Sequence, residues 1–322
     1  MSQPPSTLPS SQSSLTQAVL ELKRQRHAVI LAHNYQLPEI YDVADFIGDS
    51  LELSRQAAQT TADIIVFCGV HFMAETAKIL SPNKTVLLPD LAAGCSLADS
   101  ITAEQLRQWK TEHPQAVVVM YVNTTAEVKA LSDYCCTSSN AAKIVQSIPE
   151  DQEILFGPDM FLGAYVQRLT KRRNMHIWPG ECHVHAGFRA EHLAKMQAKH
   201  PQAEFILHPE CGCVSQCLYM MDQKQIKTAK VLSTSAMIKE VANSPADEFI
   251  IGTEVGIIER MKREVPGKKY YPLKETAVCE YMKKITLPKV YDSLRLNQFA
   301  IEVPEQVRSQ AKRAIDRMVS IG

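Results

Sequence analysis

The chain has 322 residues, 45% of them apolar and 22% charged, with 35 Lys and Arg balancing 35 Asp and Glu. It is long enough for two or three domains around a large core; a neutral chain without a basic stripe gives no footing for nucleic-acid binding, and no apolar run reaches the length of a membrane span. Nine cysteines in a chain without a secretory signal read as thiols kept reduced in the cytoplasm, so metal binding or catalysis is expected of some of them rather than a disulfide framework.

In chain order, the first stretch is rich in Ser, Pro and Gln and predicts a disordered tail over residues 1–13. One pattern then occurs three times. Each copy opens with an amphipathic helix and an apolar, β-rich run: Ala28 to His33, Ala116 to Tyr121 and Ala203 to His208. A polar stretch and a helix opened by Ser or Thr follow. A second run comes next, Ile64 to Gly69, Ile154 to Gly157 and Phe249 to Gly252, each ending in a Gly that turns into a helix. A third ends near Pro89, Pro179 and Pro272. The repeat is visible in the letters themselves: Ala103-Glu-Gln-Leu opens a segment closed by His113-Pro-Gln-Ala, and Ala190-Glu-His-Leu opens one closed by His200-Pro-Gln-Ala, 87 residues later (103 to 190).

Short apolar strands alternating with helices predict parallel sheets covered on both faces. Three copies predict three αβα units about a pseudo-threefold axis, as repeats over 14–98, 99–186 and 187–280. A linker and a helix beginning near Pro304 occupy 281–322, with Val307, Ala311, Ala314 and Met318 as the apolar stripe of that helix. The third copy is longer because of Cys211-Gly-Cys-Val-Ser-Gln-Cys217 and the residues after it.

Ligands of parallel sheets gather beyond the carboxyl ends of the strands. The polar residues there are His33, Asn34 and Tyr35 in the first copy, Tyr121 and Asn123 in the second, and His208 and Glu210 in the third. A second repeated position, Asp49-Ser50, Thr137-Ser138-Ser139 and Ser233-Thr234-Ser235, precedes a helical pattern each time. These residues are ordinary N-caps, and such helix starts are also anion sites through their free N–H groups and dipole.

Three cysteines follow the third strand of each copy: Cys95, Cys182 and Cys279. None has a C-x2-C spacing, so they meet only through the fold. Their softness suits an iron–sulfur cluster, and His183 and His185 beside Cys182 would equally complete a zinc site; spacing alone leaves both open. Cys68 reads as a core residue, Cys135-Cys136 as a vicinal pair at a helix start, and Cys211, Cys213 and Cys217 as a metal, redox or packing cluster.

From about Ala32 to Leu287 the chain resembles the quinolinate synthase A family. The resemblance rests on Ala-His33-Asn-Tyr-Gln, Ile47-Gly-Asp-Ser50, Ala93-Gly-Cys-Ser-Leu-Ala-Asp99, Tyr121-Val-Asn-Thr, Cys136-Thr-Ser-Ser-Asn-Ala, Pro179-Gly-Glu-Cys-His183, His208-Pro-Glu-Cys211, Ser233-Thr-Ser, Gly252-Thr-Glu and Cys279-Glu-Tyr-Met-Lys-Lys-Ile-Thr-Leu287, in that order. It implies a transferase of NAD biosynthesis that condenses iminoaspartate (iminosuccinate) with dihydroxyacetone phosphate to quinolinate, phosphate and two waters. It implies a [4Fe-4S] cluster with Cys95, Cys182 and Cys279 as ligands and one open iron, a Lewis acid for dehydration. The substrate-binding positions it implies are His33, Ser50, Tyr121, Asn123, Ser138, His208, Glu210 and Thr234, and Tyr35 would act beside the cluster. His33 and Glu210 suit acid–base work. The implied partners are the two small substrates and the L-aspartate-oxidising enzyme that supplies one of them, with the chain a monomer or homodimer. A zinc-dependent hydrolase and a non-enzymatic iron–sulfur sensor stand as the alternatives.

Overall fold

The computed structural model describes residues 11–321. Its sheets repeat one plan three times. The first contains β1 (Ala28–His33), β2 (Phe46–Gly48), β3 (Ile64–Cys68) and β4 (Thr85–Leu87). The second contains β5 (Val117–Tyr121), β6 (Tyr134–Cys136), β7 (Ile154–Gly157) and β8 (Met175–Ile177), and the third β9 (Glu204–Leu207), β10 (Ala229–Val231), β11 (Glu248–Gly252) and β12 (Lys269–Pro272). Across each sheet the strands run second, first, third, fourth, and all neighbours are parallel. Helices cover the faces, so the inner strands are sealed on both sides; all five residues of β3 are buried. The fold is the expected α/β architecture of three αβα units.

Each unit has four strands where the sequence pattern predicts three. The extra ones, β2, β6 and β10, have three residues each and lie at the sheet edge. That is below the usual strand length and too short to set up an alternation. Cys135 and Cys136 end the buried strand β6 rather than opening a helix. Part of the expected tail is ordered too: Ser11 caps the helix Gln12–Gln25 in a reciprocal capping box with Ser14. The remainder of that tail, residues 1–10, lies outside the described residues.

The stretch after the third repeat adds two helices. Leu287–Leu296 packs on the first helix, Gln12–Gln25. Glu305–Ser320, directly after Pro304, buries Ala311, Ala314, Ile315 and Met318. It lies across the first and second units, where Arg55 donates to the Val319 carbonyl (2.9 Å), Asn140 to those of Met318 and Ile321 (2.9 and 2.7 Å), and Arg317 to that of Asp133 (2.6 Å). Between these helices Ala300 bridges Leu87 antiparallel and covers the exposed edge of the first sheet. The third-repeat insert folds as the helix Val214–Asp222, with Cys211, Cys213 and Cys217 buried among the apolar side chains of that unit.

Candidate active site

His33 is the last residue of β1, Tyr121 the last of β5, and His208 follows β9. The repeat therefore delivers one polar residue from each sheet to a shared axis, and the same strand ends carry Tyr35, Asn123 and Glu210 a step further. All eight expected substrate contacts, together with Tyr35 and the three cysteines, line a single cavity.

The cysteines arrive there by one local device used three times. Short 3-10 turns span Ala98–Ser100, His185–Gly187 and Met282–Lys284, and in each case the cysteine stands three residues before the turn: Cys95, Cys182, Cys279. The turn aims backbone N–H groups at the sulfur, those of Ala98 and Leu97 at Cys95 and those of Met282 and Tyr281 at Cys279, which favours the thiolate. Gly180 lets the second loop approach the neighbouring chain, since a Cβ there would strike the Ser100 hydroxyl and the Pro158 carbonyl. Burial pushes the Cys95 thiol up, and that of Cys279 to about 12, with the neighbouring sulfurs adding to the rise. Three thiols lining one space, two of them facing backbone N–H donors, suit a soft, multiply charged metal group, whose charge would offset that cost and displace the protons. The residues present thus fit an iron–sulfur cluster with three protein ligands.

Beside Cys182 lies a network with almost no solvent contact. Tyr121 donates to Glu210 Oε1. His185 Nδ1 is 3.2 Å from Glu210 Oε2 and 3.3 Å from Cys182 Sγ, and its Nε2 is 2.9 Å from Thr253 Oγ1. Burial alone would raise the Glu210 carboxyl, yet His208, His185 and the Tyr121 hydroxyl hold it well below its usual range. Burial likewise works against charge on His185, but Cys182 and Glu210 outweigh it and hold the imidazole well above its ordinary value. The result is a carboxylate–imidazolium pair sealed in the cavity wall. Burial depresses the other two imidazoles, His33 to about 3 and His208 to about 4, so they stay neutral. It also keeps Tyr35 and Tyr121 as phenols, able to donate. His208 Nε2 lies 3.2 Å from Ser138 Oγ, and Tyr35 reaches Thr253.

The helix starts do two jobs. At the first, Asp49 is the cap, accepting from the N–H groups of Leu51 and Glu52 at 3.1 and 3.0 Å, which leaves Ser50 free to face the cavity. Its other oxygen accepts from Ser139 of the second unit (2.7 Å) and Ser233 of the third (3.1 Å). One carboxylate thus ties three repeats together beside the cavity. Thr234 is the first residue of its helix and accepts from Asn34 at 2.7 Å. Ser138 is set back: the following helix, Ala141–Ser147, starts after Asn140, so Ser138 sits in the preceding turn rather than at a helix terminus. The Asn123 Oδ1 is buried without a partner, an acceptor left for whatever fills the cavity.

The letters do not single out Thr253, and they offer Asp49 only as a cap and His185 only as a possible zinc ligand beside Cys182, not as the partner of Glu210. The usable signal for His185 was its position three residues after a repeated cysteine, where a 3-10 turn points it inward. His183 instead meets Ser96 Oγ at 2.6 Å from its Nδ1 and stays at the cavity lining.

Residues 17–320 match the family model described as Quinolinate synthetase A protein. The chain belongs to the quinolinate synthetase A family. It is 58% identical to a quinolinate synthase of Thermus thermophilus over 308 residues, which is 96% of this chain and 97% of that one. It is 55% identical to one of Pyrobaculum aerophilum over 304 residues (94% and 98%), and 52% identical to one of Mycobacterium tuberculosis over 307 residues (94% and 88%). Quinolinate synthases are enzymes, and this cavity is the candidate active site of this member. No helix among the described residues is long and apolar enough to cross a membrane.

Proposed function

We propose that this cavity joins iminoaspartate to dihydroxyacetone phosphate and releases quinolinate, phosphate and two waters, a step of NAD biosynthesis in the cytoplasm, with Cys95, Cys182 and Cys279 holding a [4Fe-4S] cluster. The observation that carries the reading is the convergence of three equivalent cysteine turns on a cavity whose remaining wall is the polar end of all three sheets. The cluster, with one iron free of protein ligands, supplies a Lewis acid for expelling hydroxide, a poor leaving group.

The chain's own groups then divide the work. Ser50, Ser138 and Thr234, with the unpartnered Asn123 amide, offer hydrogen bonds to carboxylates and phosphate around the axis. Lys283 and Arg260, whose charges help depress His33, set a positive field that favours these anions. Tyr35 and Tyr121 are phenols that donate to oxyanions as they form. Glu210, ionised, is a proton acceptor during enolisation, and the imidazolium of His185 beside it holds a proton within reach of a departing hydroxyl. Neutral His33 and His208 relay protons in either direction. The zinc-hydrolase reading has its own candidate set, Cys182, His185 and Glu210, whose donor atoms lie within 4.8 Å of one another, and metal analysis distinguishes the two.

An anaerobic iron and sulfide count with a visible spectrum, followed by a quinolinate assay on the two substrates, tests the proposal. A brown protein with about four iron and four sulfide per chain and turnover is expected. A colourless zinc protein, or a brown one that forms no quinolinate, would overturn it.

A further inference from the structure

The end of the second sheet away from the cavity gathers three other donor groups. His113 closes the helix Ala103–Glu112, Glu153 stands immediately before β7, and His176 is the middle residue of the edge strand β8. One carboxylate oxygen, Glu153 Oε1, lies 2.9 Å from His113 Nδ1 and 2.6 Å from His176 Nε2. The two rings face each other at 4.3 Å, and all donor atoms lie within 4.8 Å of one another. Two imidazole nitrogens therefore converge on one carboxylate oxygen.

The third repeat shows what this position looks like without that pairing. His200 stands 87 residues after His113. In the ladders, His176 pairs with Leu155 and Tyr271 with Ile250, so Tyr271 takes the place of His176 and Glu248 that of Glu153. There Tyr271 stacks on His200 at 3.6 Å and donates to Glu248 Oε2 at 3.4 Å, while Lys269 bonds the other oxygen at 2.7 Å. The residue corresponding to Lys269 is Asn174, which is spent on the carbonyls of Glu150 and Gln152. Among the described residues Glu153 thus has no Lys or Arg partner. Its charge faces only two imidazoles, where its counterpart has an ammonium.

We propose that His113, Glu153 and His176 bind one divalent transition-metal cation of the zinc type. Two imidazoles and one carboxylate suit such an ion and are a poor set for magnesium or calcium. Zinc bonds imidazole nitrogen at about 2.0–2.1 Å, so it fits at the point on which both rings converge once the Glu153 side chain swings back; that side chain is 33% exposed, with room to move, and gives up two hydrogen bonds for metal bonds. With the His176 side chain 44% exposed, water completes the shell. The three ligands come from a helix end, a strand approach and an edge strand, so the ion clamps the base of the second sheet. The cavity lies at the opposite strand ends, and the ion takes no part in the reaction.

The test uses the full-length, cluster-loaded chain, titrated anaerobically with zinc by calorimetry in millimolar magnesium while cluster absorption is followed. The expected result is one zinc per chain, a raised melting temperature and unchanged absorption. His176→Tyr, which installs the residue of the third repeat, should weaken binding at least about tenfold, abolish the melting shift and leave zinc-free quinolinate formation as it was. Glu153→Gln gives the same reading should the tyrosine variant fold poorly. Equal zinc uptake by wild type and both variants, or none by wild type, overturns the proposal.

Discussion

At the cavity end the three repeats agree; at the opposite end they part. The cysteine turns are alike in all three, and each first strand ends in a ring able to hydrogen-bond: His33, Tyr121, His208. At the base, one pair of units places His113, Glu153 and His176 against His200, Glu248 and Tyr271. The backbone is repeated throughout, so the fold is not what separates the ends. Residues at the strand ends share a single space and are held to a common chemistry by it. Residues at the base each face their own solvent, and there one substitution turns a hydrogen-bonded stack into a pair of imidazoles.

The comparison breaks most visibly at the cysteines. Replacing Cys95, Cys182 or Cys279 with Ala should in each case abolish both cluster absorption and quinolinate formation, whereas Cys213→Ala should spare both. One ligand variant with full cluster content would end the equivalence of the three turns. Next in size is Glu210→Gln, which keeps the shape and removes the charge beside His185. Loss of a positioned proton acceptor costs about 10²–10⁴-fold, read as kcat/KM with folding checked by circular dichroism; a loss under tenfold would leave the carboxylate without a role in proton transfer.

The cavity histidines also make stability depend on pH. Burial lowers His33 to about 3 and His208 to about 4 from an ordinary 6.5. The unfolded chain therefore binds protons that the folded chain refuses. Stability is complete above pH 6.5 and falls with pH through the window down to about 3 to 4, by up to about 1.4 kcal/mol per unit for each group. Urea unfolding at pH 7 and 5 should show a smaller acid loss for His208→Gln than for wild type; identical losses would mean that His208 is not held neutral. The smallest effect is expected at the seam. Asp49→Ala removes a helix cap and the acceptor shared by Ser139 and Ser233, costing about 1–3 kcal/mol in denaturant unfolding. An unchanged midpoint would show that the three units do not depend on this carboxylate.

Much of this was legible in the letters because the repeat supplies its own alignment. The offset from Cys95 to Cys182 could be seen before any fold was known, and strand-end logic led to His33, Tyr121 and His208. What stayed hidden was what symmetry does not carry. Strands of three residues, such as β2, have no period to detect. His185 has no imidazole at the corresponding positions Ala98 and Met282, so the repeat marks its place after the cysteine but not its ring. Asp49 looked like one cap among several, because its contacts to Ser139 and Ser233 cross 90 and 184 residues of chain. The helix Leu287–Leu296 reads as linker in the letters because its apolar face answers to the distant helix Gln12–Gln25.

The last helix, Glu305–Ser320, has a consequence for synthesis. It fills the groove between the first and second units, and its final residues accept the hydrogen bonds of Arg55 and Asn140. Those units leave the ribosome first, at about 5–20 residues per second, and wait for more than a hundred further residues before the piece that joins them exists. During that interval the apolar wall meant for Ala311, Ala314 and Met318 faces water. The newborn chain is thus most vulnerable to wrong association until the helix Glu305–Ser320 has emerged and docked.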